Sequence, residues 1–173
     1  MESMVLFQRA LRSLVVILLT MAAGFSQWQN APLQAPAHPN MRLYHEDANA
    51  EQDISKATAR SRKENKRVLL VFGGNWCIDC HVLDDAFHRP RIAPLLDRGF
   101  IVVHVDVGQY TRNLNLAKKY RVNLEKGVPA MAVLNSRGGF LYSTSEFEKA
   151  RLKTEDDLAG FLNAWMPVAA TKP

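Results

Sequence analysis

The chain has 173 residues, a formal charge of +5 and 47% hydrophobic side chains, which leaves room for one ordinary globular domain plus a further segment. Two cysteines exclude a multi-disulfide scaffold. Much of the excess positive charge gathers in residues 60–67 without interleaved aromatics, the pattern of a solvated helix end and not of a nucleic-acid surface.

In chain order, Arg9 and Arg12 precede an apolar run over residues 14–25 that is broken only by Thr20 and Gly24. A basic start and an apolar stretch of this length predict a secretory signal over residues 1–26, because a spanning helix needs roughly 20 apolar residues. If left uncleaved, the same segment would act as an N-terminal membrane anchor. Residues 27–46 hold Pro32, Pro36 and Pro39 among Ala, Gln and Asn, the composition of an extended, poorly ordered linker. The folded domain is expected over residues 47–167, with a short tail at 168–173.

Within that domain, residues 47–66 have helix-forming composition and a weak stripe of Ala50, Ile54 and Ala57. Residues 68–72 form a continuous apolar run, as expected for a strand buried on both faces. Gly73, Gly74 and Asn75 break it. A helix should then start at Trp76 or Cys77, with Cys80, Leu83 and Phe87 along one face, and Pro90 should stop or kink it. Residues 92–96 resume the helix up to Gly99. Residues 100–105 read as a second strand, and 111–120 as a helix through Leu114, Ala117 and Tyr120. Two short strands, 130–134 and 140–142, flank a turn sequence at 135–139. In the last helix Thr154 can cap with Asp157 three residues on, and Leu158, Phe161, Leu162 and Trp165 share one face before Pro167. The order β-α-β-α-β-β-α after a leading helix implies a parallel core, an appended antiparallel hairpin and helices on both faces.

The chemistry concentrates in Trp76-Cys77-Ile78-Asp79-Cys80. Two thiols at this spacing at a helix start can close a small, reversible disulfide ring, and the helix N-terminus favours the thiolate on the first sulfur. Asp79, between the sulfurs, opposes this by like-charge repulsion. His81 follows, so the same residues also spell C-x-x-C-H, the haem-attachment pattern, for which Met131 or Met166 would be the distal ligand. Otherwise His81 is a partly exposed polar residue or a group that tunes the thiols. His38, His45, His88 and His104 show no metal-ligand spacing, and no metal is expected. His104, in an apolar strand run, reads as structural. Asp84 and Asp85 read as a solvated helix face.

The strand and helix order, with Trp76-Cys77-x-x-Cys80 after the first core strand and Gly127-Val128-Pro129-Ala130 before the hairpin, resembles the thioredoxin superfamily over residues 47–166. The Phe-Gly-Gly-Asn-Trp-Cys stretch over residues 72–77 is most similar to its bacterial exported group. The resemblance implies an α/β thioredoxin-like fold, with a central mixed sheet flanked by helices on both faces. It makes Cys77 the nucleophile and Cys80 the resolving thiol. It also gives the Val128 backbone to an extended client segment, and Pro129, cis in the family, to shaping the groove and keeping metal off the pair. Trp76 would pack beside the site, an ordinary core aromatic being the alternative. The implied activity is thiol–disulfide exchange with protein thiols and disulfides and with a redox partner. The protein would act in the periplasm or otherwise exported, as a monomer, with no cofactor beyond the Cys77–Cys80 disulfide. One departure stands out: the family's buried aspartate six residues before the first cysteine is Val71 here. Asp79, His81 and Asp85 are then the candidates, by proximity in sequence, to handle the Cys80 proton. Reductant, oxidant and isomerase share these letters and differ in potential. The rival classes are a redox-inactive binding or scaffold protein on the same fold and a c-type haem protein, the latter disfavoured by the β-rich order.

Overall fold

A computed structural model describes residues 31–168. The expected export segment and residues 169–173 of the tail lie outside the described residues. Helix α1, Ala50–Glu64, is capped by the Asn49 side chain, which accepts from the Gln52 N–H. It leads into strand β1, Arg67–Gly73. Helices α2, Ile78–Phe87, and α3, Ala93–Gly99, follow, separated around Pro90 as a missing N–H demands. Strand β2 is Phe100–Asp106, helix α4 is Leu114–Lys119, and the hairpin is β3, Ala130–Leu134, with β4, Phe140–Thr144. Helix α5, Glu155–Ala164, closes the domain, and Thr154 and Asp157 form the reciprocal capping box read from the sequence.

The four strands are ordered β2-β1-β3-β4. β1 runs parallel to β2 and antiparallel to β3, and β4 is antiparallel to β3. The sheet is therefore mixed, with helices on both faces, which is the thioredoxin-like arrangement. Alternation along β1 divides the core in two. Val68, Leu70 and Phe72 pack with Ala50, Ile54 and Ala57 of α1 and with Leu116 and Ala117 of α4. Leu69 and Val71 point the other way, to Val82, Leu83 and Ala86 of α2 and to Leu158 and Leu162 of α5. Each residue of β1 from Val68 onward is buried, which is why this strand reads as an unbroken apolar run.

Two expectations need correction. Residues 32–46 are not a loose linker. Leu33 is buried in the second core cluster, its N–H donates to the Lys153 carbonyl at 2.7 Å, and Pro32 bridges Thr154. Leu43 and Tyr44 are buried in the first cluster. A few large apolar side chains in a proline-rich segment suffice to fasten it to a sheet protein. Helix α4 begins at Leu114 and not near 111, because Asn113 takes a left-handed φ of 52° and its side chain donates to the Asp106 carbonyl. Leu114 is consequently exposed. Trp165, the residue after α5, packs with Phe161 against the cluster of Leu158 and Leu162, as the helical stripe predicts, and stacks on Tyr142 of β4, ring centroids 4.7 Å apart. Among the described residues no helix is long and apolar enough to cross a membrane.

Candidate active site

The β1–α2 junction places the two cysteines just past the C-terminal end of β1, an interior strand of the sheet. Gly73 ends β1, and Cys77 is the N-cap of α2 in extended conformation. Its Sγ accepts the Cys80 N–H at 3.1 Å, one of the N-terminal amides a helix leaves unpaired. The two sulfurs are joined in a disulfide, with the Cα atoms 5.3 Å apart. Both residues are buried, Cys80 the more deeply at 1% exposure. The Val128 carbonyl oxygen lies 3.3 Å from the Cys77 Sγ, and the Val128–Pro129 bond is cis. The chain ahead of β3 thus faces the first sulfur, bringing Cys77, Cys80, Val128 and Pro129 together.

Trp76 is not a core aromatic. It is 45% exposed, its Nε1 donates to the Gly108 carbonyl at 2.7 Å, and its ring leans on Tyr110 at 5.6 Å. A half-exposed aromatic pair of this kind offers a rigid apolar rim beside the disulfide.

Asp79 and His81 behave differently from the sequence expectation. Asp79 is buried and paired: Arg151 donates to it from Nε at 3.0 Å, from Nη2 at 3.1 Å and from its backbone N–H at 3.0 Å. The guanidinium offsets the charge expected to repel a Cys77 thiolate. His81 is buried, not partly exposed. Its Nε2 lies 2.8 Å from the Asn75 carbonyl, and its Nδ1 has no hydrogen-bond partner in the protein. Asp85 is committed to Arg89 at 3.1 Å. Asp84 lies 3.4 Å from His104 Nε2, without the geometry of a hydrogen bond. Val71 is buried, opposite His104 in β2 and Met131 in β3.

Sequence reasoning missed Tyr44, Asn75 and Arg151. Asn75 clamps Tyr44 through both backbone groups: its Oδ1 accepts the Tyr44 N–H and its Nδ2 donates to the Tyr44 carbonyl, each at 2.9 Å. Leu43-Tyr44, two bulky side chains in an otherwise polar segment, was the available signal for an anchor. Arg151 had none, because its partner lies 72 residues away. Burial, then the Asp84 and Asp106 carboxylates, push the Tyr44 phenol well above its ordinary range.

The Thioredoxin-like family model matches residues 49–136. The disulphide isomerase from Xylella fastidiosa Temecula1 is 36% identical, and the alignment covers 70% of this chain and 95% of that one at a TM-score of 0.67. A redox protein from Chlamydomonas reinhardtii, 14% identical over 71% of this chain and 36% of its own, has a TM-score of 0.50, a likeness of fold alone. No curated protein matches the chain. The chain belongs to the thioredoxin-like family, and its bonded C-x-x-C pair puts it in the general class of thiol–disulfide oxidoreductases.

Proposed function

We propose that this protein is an exported thiol–disulfide oxidoreductase that exchanges the Cys77–Cys80 dithiol or disulfide with protein substrates. The observation that carries the reading is the disulfide itself: it caps α2 and faces the Val128 carbonyl, with Trp76 and Tyr110 beside it. In the reduced protein the Cys77 thiolate attacks one sulfur of a client disulfide. A mixed disulfide forms, and the client's other sulfur leaves with the electron pair. Cys80 then attacks Cys77 Sγ, re-forms the ring disulfide and expels the second client thiolate, so two electrons pass to the client. Run in reverse, the same steps oxidise a client dithiol. The Val128 backbone and Pro129 hold an extended client segment, and Trp76 lines its path.

Support for export comes from Arg9, Arg12 and the apolar run over residues 14–25; in an exported protein a lone pair at C-x-x-C spacing reads as catalytic or as a cofactor site. The 36% identical Xylella protein, a disulphide isomerase, makes isomerisation the first activity to assay. The haem alternative is disfavoured by the fold, because Cys77, Cys80 and His81 follow a strand of a mixed sheet and not a helix of a helical protein.

Trapping tests the reading. Cys80→Ser removes intramolecular resolution and leaves Cys77 reactive. Reductant-sensitive adducts with exported cysteine-containing proteins should accumulate on non-reducing gels and vanish in Cys77→Ser/Cys80→Ser. Partners that co-purify with the double variant, with no adducts in the single one, would establish a binding protein in place of an oxidoreductase.

A further inference from the structure

Tyr44 holds the least explained polar atom near the disulfide. It is 1% exposed, and its hydroxyl has no hydrogen-bond partner in the protein. A buried hydroxyl without a partner is costly and calls for a reason. Its position supplies one. A methyl placed on Gly73 would meet both the Tyr44 oxygen and, 2.6 Å away, the Cys80 sulfur. The hydroxyl and the resolving sulfur therefore flank the same point, and only the missing side chain of Gly73 lets them approach.

Everything around the ring holds this aim. Asn75, in the loop that carries Cys77, grips the Tyr44 backbone at both its N–H and its carbonyl. The ring stands edge-on to His104, centroids 5.3 Å apart. The charged groups that face it are the Asp84 and Asp106 carboxylates. Asp106 is paired with Arg112 at 2.8 Å, and Asp84 faces His104. On the helix side Cys80 is flanked by His81 and by Asp79, the latter paired with Arg151. Burial and the two carboxylates keep the phenol protonated, so it always has a proton to donate.

We propose that Tyr44 is a catalytic hydrogen-bond donor to the Cys80 thiolate, taking the place of the carboxylate that Val71 lacks. The inference rests on the oxidoreductase reading above. When a client thiolate attacks Cys77 Sγ, the Cys77–Cys80 bond breaks and the electron pair leaves on Cys80 Sγ. A disulfide sulfur is a weak acceptor, whereas a thiolate is a strong one. The Tyr44 O–H bond to sulfur is therefore gained as charge develops, which is where a fixed donor accelerates a reaction. In the resolving direction the same donor raises the thiolate fraction of a sulfur that burial would otherwise hold protonated. A neutral hydroxyl does this without placing a charge in the core.

The test compares Cys80 titration, by ultraviolet thiolate absorbance, in Cys77→Ser and in Tyr44→Phe/Cys77→Ser. Phenylalanine keeps the ring and removes an unpartnered hydroxyl, so the fold should persist, as circular dichroism and melting will show. The Cys80 pKa should rise by about one to two units, the worth of one hydrogen bond to a charged group. With both cysteines present, release of thionitrobenzoate from a Cys77 adduct should slow about threefold for each unit at neutral pH, because lost thiolate fraction is partly offset by greater nucleophilicity. A folded variant with Cys80 unmoved or shifted down overturns the assignment. Insulin reduction by the parent protein is read separately: activity there with an unmoved Cys80 removes Tyr44 and leaves the oxidoreductase. Inactivity of the parent in insulin reduction, in dithiol oxidation and in isomerisation of a scrambled disulfide protein removes the oxidoreductase whatever Cys80 does.

Discussion

Arg151→Met is the most searching perturbation of the site that leaves both sulfurs in place. It keeps a long apolar stem and removes the guanidinium that donates to Asp79 at 3.0 and 3.1 Å, leaving only the backbone N–H at 3.0 Å. The two limits for such a loss are about 0–1 kcal/mol for an exposed pair and about 3–5 kcal/mol for a buried charge deprived of its partner. The Asp79 side chain is 10% exposed and that of Arg151 is 55% exposed, so water can reach the carboxylate from one side. The helix N-terminus also retains about 0.5 kcal/mol of favourable interaction with a first-turn carboxylate. A loss of about 2 kcal/mol in urea unfolding of the oxidised protein follows, between those two limits. Asp79→Asn/Arg151→Met should recover much of it, and the cycle should give a coupling of about 1–2 kcal/mol. The thiols report independently. An unpaired Asp79 charge beside Cys77 should raise that thiol's pKa by on the order of one unit in the reduced Cys80→Ser background. An additive cycle together with an unmoved Cys77 would refute the reasoning, for the pair would then be an ordinary surface bridge.

Two further changes test the architecture. Leu33→Ala should cost about 2–4 kcal/mol in urea unfolding, as for a fully buried leucine; a loss below about 0.5 kcal/mol would show that residues 32–46 do not pack on the domain. Thr154→Ala removes the α5 cap and should cost about 1 kcal/mol. The Asp157 carboxyl is held below its ordinary range by the Thr154 N–H and then its hydroxyl. That part of the stability is therefore present above the unfolded aspartate pKa and lost as pH falls through the lower folded value. The melting difference between parent and variant should narrow on acidification, and a gap that widens in acid would contradict the capping box.

What could be read from the sequence was what is local or periodic. Residues 68–72 announced a strand buried on both sides because no polar side chain interrupts them, and α5 announced itself through a cap and a helical stripe. The cysteine pair carries its chemistry in its spacing. What escaped depends on distance along the chain. Asp79 reads as a charge that opposes the thiolate until Arg151 is brought to it by a short helical turn ahead of α5. His81 reads as a surface histidine because nothing in its neighbours reveals that Asn75 would cover it. Thr111 to Asn113 suited a helix until one left-handed residue, paired to the end of β2, delayed its start. Composition misled most in residues 32–46, where prolines outweighed the three side chains, Leu33, Leu43 and Tyr44, that fasten the segment to the core.

That same segment bears on how a thioredoxin-like site can lack its buried carboxylate. A carboxylate at position 71 would project into the cluster of Val82, Leu83 and Met131, on the face of β1 to which Gly73 also turns and where the Tyr44 hydroxyl meets Cys80. It would cost desolvation there and gain a role only by taking up a proton. The Tyr44 hydroxyl instead reaches Cys80 past a glycine at the end of the strand, on a segment tied to the active-site loop by Asn75. Its hydroxyl never has to ionise. The consequence is a division of labour: proton exchange with Cys80 passes to water or to the client's own sulfur, while the protein supplies only a fixed dipole. Alkaline titration of the reduced pair should then show two thiol ionisations and no third, core carboxyl ionisation coupled to them, and Val71→Asp should introduce one. A coupled carboxyl already present in the parent protein would mean that Asp84 or Asp106, and not the Tyr44 hydroxyl, governs the resolving sulfur.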